Sequence, residues 1–471
     1  MSFFSGVPFF TLMTLLLLPA LFLGLRGKAI GPYGLFASLV MILAVLAGTP
    51  LQLAWLGAYL LWESLLVCLY IPLRQKKGSV PWHYALALFL SLIPLLLMKW
   101  SEVTTLSLFS FLGLSYLTFR VAQIIIETYD GLISSLSLPA FWAFLLFFPT
   151  FSAGPIDRSR RFEEDFRRRY TRDEYLTLLG DGLEQLLIGL VYKFVLSALA
   201  FRLLSLCEPK GGLLLALAYG WCYGIYMFFD FAGYSRMAVG CAYILGVRIP
   251  GNFHLPFLSR DMKDFWNRWH ITLSHWFRDY LFSRFLMRGI KGKWFKSRLS
   301  GACWAFLLNM LVMGAWHGLT LYYLLYGLYH GVLLAATEVY QKKCPFYKKY
   351  RNCTWYGLLS WFVTLNLVMV GFLIFSGALF TCFIPKEEPS MNNTQEKILS
   401  ILSGVCGETL GEDELELDLF ENDLLDSLGL VELLVELESQ FDVKLSPSEV
   451  SRSQIATPRL IADLMESRIA Q

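Results

Sequence analysis

The chain has 471 residues, 56% of them hydrophobic, 16% aromatic and only 16% charged. Soluble globular domains carry about 25% charged residues, so an ordinary water-soluble fold is excluded for most of this length. The net charge of +3 hides an asymmetry: residues 391–471 hold 17 acidic and 5 basic side chains, net −12, which leaves +15 on residues 1–390. Such a split marks two modules with different partners, or modules that attract each other.

From the N-terminus the apolar residues fall in long runs, among them 10–25, 34–46 and 85–97. A bilayer is crossed by about 20 apolar residues, and the runs recur too often for one signal peptide ahead of a soluble domain. Hydropathy places about eleven spans, near 6–25, 33–48, 51–73, 82–99, 104–126, 138–151, 180–206, 212–246, 301–315, 319–340 and 355–380. The stretch 212–246 carries Gly224, Gly233 and Gly240 and reads as two short helices or a re-entrant pair. Arg26 and Lys28 follow the first span, and Arg74, Lys76 and Lys77 the third, whereas the connection Gly48-Thr49-Pro50 is uncharged. The positive-inside rule then puts the N-terminus outside and the basic segments 158–172 and 278–298 in the cytoplasm.

After a polar linker with two prolines the character changes. An amphipathic helix is predicted over 394–405, with Ile398, Leu399, Ile401, Leu402 and Val405 on its apolar side. An acidic loop follows, then helices over 427–441, 446–451 and 457–469. The fold class is therefore all-α: a polytopic membrane domain over 1–383, a linker over 384–393 and a small soluble four-helix bundle over 394–471. Met391 stands where an independent reading frame would begin, so the chain reads as a fusion of two modules.

None of the nine cysteines forms a C-x-x-C pair, so no zinc knuckle or redox motif is signalled. The six histidines lack carboxylate or thiol partners at ligand spacing, and no metal site is expected. Most of these histidines lie in or beside apolar segments, where a polar ring is costly and points to function. Two contexts stand out: Met313-Gly314-Ala315-Trp316-His317-Gly318 between apolar helices, and the polar, aromatic run from Asp264 through His270 to Trp276. A neutral imidazole is suited to take the proton of an attacking hydroxyl. No serine or cysteine nucleophile with an adjacent base is evident, which favours direct transfer over a covalent enzyme intermediate. For His254, His275 and His330 the structural reading prevails. Asp230 and Arg268 line a polar pocket or pair with other charges, and Asp157 and Arg158 read as a loop clamp at the membrane surface.

In the C-terminal module, Leu424-Leu425-Asp426-Ser427-Leu428-Gly429-Leu430 opens a helix after the acidic loop. This resembles the phosphopantetheine attachment site of acyl and peptidyl carrier proteins, with Ser427 as the attachment point for a covalent 4'-phosphopantetheine. A helix N-terminus favours the phosphodiester anion, and a capping role for Asp426 or Ser427 is compatible with it.

The two histidine contexts, together with Phe148-Pro149-Thr150-Phe151-Ser152-Ala153-Gly154-Pro155-Ile156, Phe229-Asp230-Phe231-Ala232-Gly233-Tyr234-Ser235 and Asn252-Phe253-His254-Leu255-Pro256-Phe257, resemble the membrane-bound O-acyltransferase family over nearly all of 1–380. The family's near-invariant histidine matches His317 and its second polar position matches His270. His317 is accordingly expected as the base and His270 as an orienting or oxyanion-stabilising group. Within the family the likeness is to the D-alanyl transfer proteins of teichoic acid D-alanylation, carried by 317–323 and 326–331, and the appended module resembles the D-alanyl carrier of that pathway. The resemblance implies a multi-pass bacterial membrane enzyme with its carrier in the cytoplasm. Its partners would be a D-alanine–carrier ligase, membrane lipid and a lipoteichoic or wall teichoic acid acceptor, with no nucleic acid. Opposite charge suggests docking of the acidic carrier on a basic face carrying Leu286, Met287, Arg288, Lys291, Lys293 and Trp294, with Leu428 and Val431 as counterparts. The competing readings are O-acetylation of another exopolysaccharide and a non-catalytic channel or scaffold that recruits a carrier.

Overall fold

The computed structural model describes residues 3–104, 110–207, 212–383, 393–406, 410–411, 414–420, 422, 424–425, 427–441 and 455–469. The chain divides into two compact units, Met1–Phe383 and Ile384–Gln471, and no β-strand occurs among the described residues.

The first unit runs α1 (Val7–Leu25), α2 (Gly31–Leu46), α3 (Pro50–Lys77), α4 (Pro81–Val103), α5 (Leu114–Tyr129), α6 (Leu138–Leu146), α7 (Ser159–Arg167), α8 (Arg172–Leu190), α9 (Ser197–Ser205), α10 (Leu213–Ile244), α11 (Met262–Arg268), α12 (Ile271–Phe277), α13 (Ser283–Lys291), α14 (Arg298–His317), α15 (Leu321–Lys343), α16 (Pro345–Tyr350), α17 (Thr354–Phe375) and α18 (Ala378–Phe383). Proline in the first turn opens α1, α2, α3, α4 and α6, where its missing N–H has no partner to lose. A capping box opens α8: Glu174 N donates to Thr171 Oγ1 at 3.3 Å, and Glu174 Oε2 accepts from Thr171 N at 2.9 Å. Ser297 and Ser300 make the same reciprocal pair at the start of α14.

Among the described residues seven helices are long and apolar enough to cross a membrane, against the eleven runs read from hydropathy. The difference lies in helix length and composition. The run 138–151 contains a helix of only nine residues before a 3₁₀ turn. Helix α5 starts at Leu114 and spans 16 residues. Helix α15 has 23 residues but is diluted by glycines, tyrosines and His330. An apolar run records burial, and burial inside a bundle does not require a full crossing.

The run 212–246 is neither two helices nor a re-entrant pair; α10 is one continuous 32-residue helix. Its glycines serve close packing instead of breaks. A Cβ on Gly240 would lie 2.6 Å from the carbonyl oxygen of Gly182 on α8, and one on Gly233 would lie 2.9 Å from that of Gly189. Small residues let membrane helices approach until backbones touch. Gly240→Val therefore must push α8 off α10, an overpacking that costs about 1–3 kcal/mol. A Cβ on Gly180 of α8 would meet nothing within 4 Å, so Gly180→Val serves as the control. Thermal unfolding in detergent is expected to show a lower midpoint for Gly240→Val and an unchanged one for Gly180→Val.

The second unit contains α19 (Asn393–Cys406), α20 (Ser427–Phe441) and α21 (Pro458–Ile469). Ile398, Leu402, Leu433, Leu437, Ile461 and Met465 form its dry centre, which matches the apolar face predicted for 394–405. The helix expected at 446–451 lies outside the described residues, as does the linker from 384 to 392.

Candidate active site

Helices α14 and α15 form an antiparallel pair with almost no space between backbones. A Cβ on Gly314 would sit 2.5 Å from the carbonyl oxygen of Tyr323, and one on Gly327 2.4 Å from that of Met310. This approach brings the last residue of α14, His317, against the first turns of α15. Its ring lies 4.6 Å from Trp316, 5.9 Å from Tyr323 and edge-on to Phe375 at 5.0 Å. Lys99 Nζ donates to the His317 carbonyl oxygen at 3.4 Å.

His317 lines an open cavity of about 730 Å³, together with Lys99 and Trp316. Its lining also includes the α2–α3 connection around Thr49 and Gln52, the segment Ser110–Tyr116, and Ser152. A large cavity with a few convergent polar groups is the usual form of a binding site.

His270 occupies the connection between α11 and α12 and is buried. Its backbone is left-handed, φ 43°, a conformation that costs a β-carbon-bearing residue about 1–2 kcal/mol. The surroundings hold it there. Ile271 N donates to Asn252 O at 2.9 Å, Thr272 Oγ1 donates to Asn252 Oδ1 at 2.6 Å, and Ile156 N donates to Thr272 Oγ1 at 2.9 Å. Three of the sequence stretches singled out above, around 156, 252 and 270, thus converge on one turn. The His270 ring meets Phe231 edge-on at 4.8 Å, and its Nε2 lies 3.5 Å from the Tyr116 hydroxyl. Tyr116 also lines the His317 cavity, so it joins the two histidines.

A second device fixes the Ser152 wall. Arg120 is 1% exposed. It donates to the carbonyls of Phe144 at 2.6 Å and Leu145 at 2.9 Å, to Thr150 Oγ1 at 2.6 Å, and also to the Thr150 carbonyl. These acceptors lie where α6 gives way to irregular backbone, whose carbonyls need partners when buried. Downstream, Ser152 Oγ and Tyr234 OH lie 2.7 Å apart.

Tyr116, Trp316, Ser152 and Arg120 were not singled out as site residues from sequence. Arg120 and Glu127 in an apolar run were the available signal, because ionisable residues inside membrane segments are usually functional or positioning. Of the other candidates, Asp230 pairs with Lys193 at 2.5 Å and Arg268 with Asp264 at 2.6 Å, so both take the charge-pairing reading. Asp157 accepts from the Arg161 guanidinium and from Arg158 N at 2.6 Å, while Arg158 reaches Asp279 at 2.6 Å. This is a loop clamp, with Asp157 buried within it; burial pushes the Asp157 carboxyl above its ordinary pKa against the opposing pull of Arg161. His330 is packed among Phe265, Trp266, Tyr326 and Tyr329.

The basic face ends in a tight turn after α13. A Cβ on Gly289 would meet the Phe295 ring at 2.0 Å, and one on Gly301 would meet Phe295 at 2.8 Å and Leu286 at 3.0 Å. Phe295 is thereby tucked under the turn, and Leu286 is half-buried with it. Met287, Ile290 and Trp294 stay outward, 55%, 45% and 56% exposed, interleaved with exposed Arg288, Lys291 and Lys293.

In the second unit Ser427 is the first residue of α20, a helix of 15 residues. The leading N–H groups of a helix have no intrahelical acceptor, which suits a phosphodiester on that serine. The side chains of Ser427, Leu428 and Val431 lie outside the described residues.

Residues 83–381 match the membrane-bound O-acyltransferase family, and residues 396–465 match the phosphopantetheine attachment site family. The chain belongs to the membrane-bound O-acyltransferase family and is an acyltransferase with a phosphopantetheine-bearing domain. The teichoic acid D-alanyltransferase of Bacillus subtilis (strain 168) is 40% identical over 392 residues, covering 81% of this chain and 99% of that protein. The protein of the same name from Streptococcus thermophilus is 38% identical over 402 residues, 81% of this chain and 97% of that one. A probable alginate O-acetylase of Pseudomonas aeruginosa is 34% identical over 272 residues, 56% of this chain and 48% of that protein.

Proposed function

We propose that the chain transfers D-alanine from a thioester on its own C-terminal unit to a hydroxyl of lipoteichoic or wall teichoic acid, with His317 as the base. The observation that carries this reading is the place of His317 in the wall of a cavity large enough for a polymer segment, at the end of a helix whose other end is basic. By the positive-inside rule, residues 45–52 and 110–116, which wall that cavity, belong to the outer side, and Arg298 at the start of α14 to the cytoplasm. Phosphopantetheine supplies, when attached to Ser427, a thioester that is already activated for acyl transfer.

The chain's residues have separate tasks. His317 takes the proton of the acceptor hydroxyl as it attacks the acyl carbon. A neutral imidazole has one donor and one acceptor nitrogen. Tyr116 donating to His270 Nε2 leaves the proton on His270 Nδ1, which has no hydrogen-bond partner among the described residues. That N–H is the donor we assign to the oxyanion that develops on the acyl oxygen. The proton held by His317 then passes to the departing thiolate, so the cycle closes without another acid.

The carrier loads in the cytoplasm from a D-alanine–carrier ligase and docks on Met287, Arg288, Lys291, Lys293 and Trp294, with Leu428 and Val431 as counterparts; half-buried Leu286 supports the turn. The −12 charge of the carrier segment supports this pairing. Reversing Arg288, Lys291 and Lys293 to Glu together is expected to slow transfer at least about tenfold, with the loss growing as salt is lowered. Unchanged transfer by the triple variant at low salt removes the docking face from the account.

Mass spectrometry of the purified chain tests the reading as a whole. A D-alanyl group on the Ser427 arm is expected; an acetyl group there points to the alternative O-acetylation of another polysaccharide.

A further inference from the structure

Helices α8 and α9, joined by a π turn over Val191–Leu196, make one apolar span, Arg172–Ser205, and α10 returns beside it. Cys207 follows the last turn of α9, its N–H donating to Leu204 O at 3.0 Å. Cys222 lies on the third turn of α10. The two Sγ atoms are 3.6 Å apart, and both residues are partly exposed. Phe201 and Tyr226 pack the same two helices a turn deeper, with ring centroids 5.4 Å apart. The thiols therefore meet on an interface that is already formed. Gly220 and Gly224 flank Cys222 on α10. A Cβ on the first would lie 3.0 Å from Met369 O of α17, and one on the second 2.7 Å from Met369 Sδ. At 3.6 residues per turn, Cys222 points away from that contact, so α10 rests on α17 with one side and offers its thiol to α9 with the other. Depth follows from length. Helix α10 has 32 residues, and its Ile244 end is tied to the start of α8, where Tyr175 OH donates to Ile244 O at 2.8 Å just after the basic segment 158–172. Cys222 stands about 33 Å from that end at 1.5 Å per residue, against a hydrocarbon layer about 30 Å thick. It lies at the far edge of the apolar layer, the outer edge by the positive-inside rule.

We propose that Cys207 and Cys222 are an oxidation site on the outer face of the membrane, where they close to a disulfide that clamps α9 to α10. The inference rests on the orientation used above, with the connection 206–212 outside. A disulfide needs its sulfurs about 2.05 Å apart; starting from 3.6 Å, side-chain rotation supplies the rest. The oxidant is a disulfide on the outer side. One cysteine attacks it as the thiolate, a mixed disulfide forms and one thiol departs. The second cysteine attacks the mixed disulfide and the second thiol departs. Two electrons pass from the cysteines to the external disulfide, and the two protons end on the departing thiols. Disulfides persist in such external, oxidising surroundings. The clamp bears on the candidate active site through α17, which packs on the opposite side of α10 and carries Phe375 edge-on to His317 at 5.0 Å.

Oxidised glutathione, which does not cross a bilayer, supplied to one face of vesicles holding the oriented full-length chain tests the proposal. Remaining thiols are alkylated in denaturant and the peptides weighed. With the oxidant on the face of the 206–212 connection, the expected product is a peptide pair joined through Cys207 and Cys222, lighter than the two free peptides by two hydrogen atoms. Cys207→Ser is expected to leave Cys222 open to alkylation or to glutathione. Thermal unfolding in detergent gives a second reading. The link is expected to raise the midpoint by at least about 2 °C, a gain that a reductant removes from the native chain, whereas the midpoint of Cys207→Ser does not respond to reductant. Alkylation of both cysteines after treatment of that face, or glutathione retained on either cysteine of the native chain without a link, overturns the proposal. A link made only with oxidant on the carrier's face overturns the outer placement and the orientation with it. Failure of the D-alanyl reading would appear differently, as the wrong acyl group on Ser427 with the link still formed.

Discussion

His317→Ala is expected to leave the protein folded and loaded on Ser427 but to slow acyl transfer by about 10²–10⁴-fold, the usual contribution of a positioned general base. Truncation at this position is mild for the fold. His317 is the last residue of α14 and lines a cavity, and the contact that ties the end of α14 to Lys99 uses the backbone carbonyl of His317, which alanine retains. Loading and transfer therefore separate: label accumulates on the C-terminal unit in the variant and moves on in the native chain. Time-resolved gel autoradiography of the chain charged with labelled D-alanine reads both. Transfer at the native rate would falsify the assignment of the base.

Arg120→Leu is expected to be the most damaging substitution outside the two histidines. It leaves the carbonyls of Phe144, Leu145 and Thr150 without their donor, and each buried unsatisfied group costs about 1–3 kcal/mol. Some of this is offset, because a buried guanidinium is itself expensive to desolvate. The larger consequence is positional. The stretch from Phe144 to Ser152 loses its anchor, and a shift of about 1 Å at a site costs up to 10²-fold in rate. Thermal unfolding and transfer rate measured together are expected to show a fall in both, with Arg120→Lys intermediate because a single ammonium replaces a fork of donors. An unaltered rate in Arg120→Leu would mean that the Ser152 wall has no part in the reaction.

The features legible in sequence were those with a strong local cause. Long apolar runs, the basic segments and the acidic C-terminal module gave a helical membrane unit joined to a carrier-like unit, and His317 stands in a cavity wall of the structure. Features that depend on distance in space were less legible. The glycines of 212–246 looked like breaks because a helix tolerates glycine poorly, yet Gly233 and Gly240 mark where α10 meets the backbone of α8, and Gly224 makes room for Met369 and Phe372 of α17. Run 138–151 looked like a span because buried and lipid-facing residues share the same apolarity. Tyr116 is invisible as a site residue in sequence, since nothing near position 116 announces that its hydroxyl will meet His270. Asp230 and Arg268, in contrast, found near partners of opposite charge, Lys193 and Asp264.

We propose that one imidazole, that of His317, serves a thioester and a hydroxyl arriving from opposite faces of the bilayer. The most direct measurement uses the full-length chain, charged with labelled D-alanine and oriented in vesicles, with teichoic acid supplied on one face only. Label is predicted to reach acceptor on the face of the 48–50 connection and not acceptor confined to the carrier's own face. Efficient transfer to acceptor on the carrier's face would contradict the account.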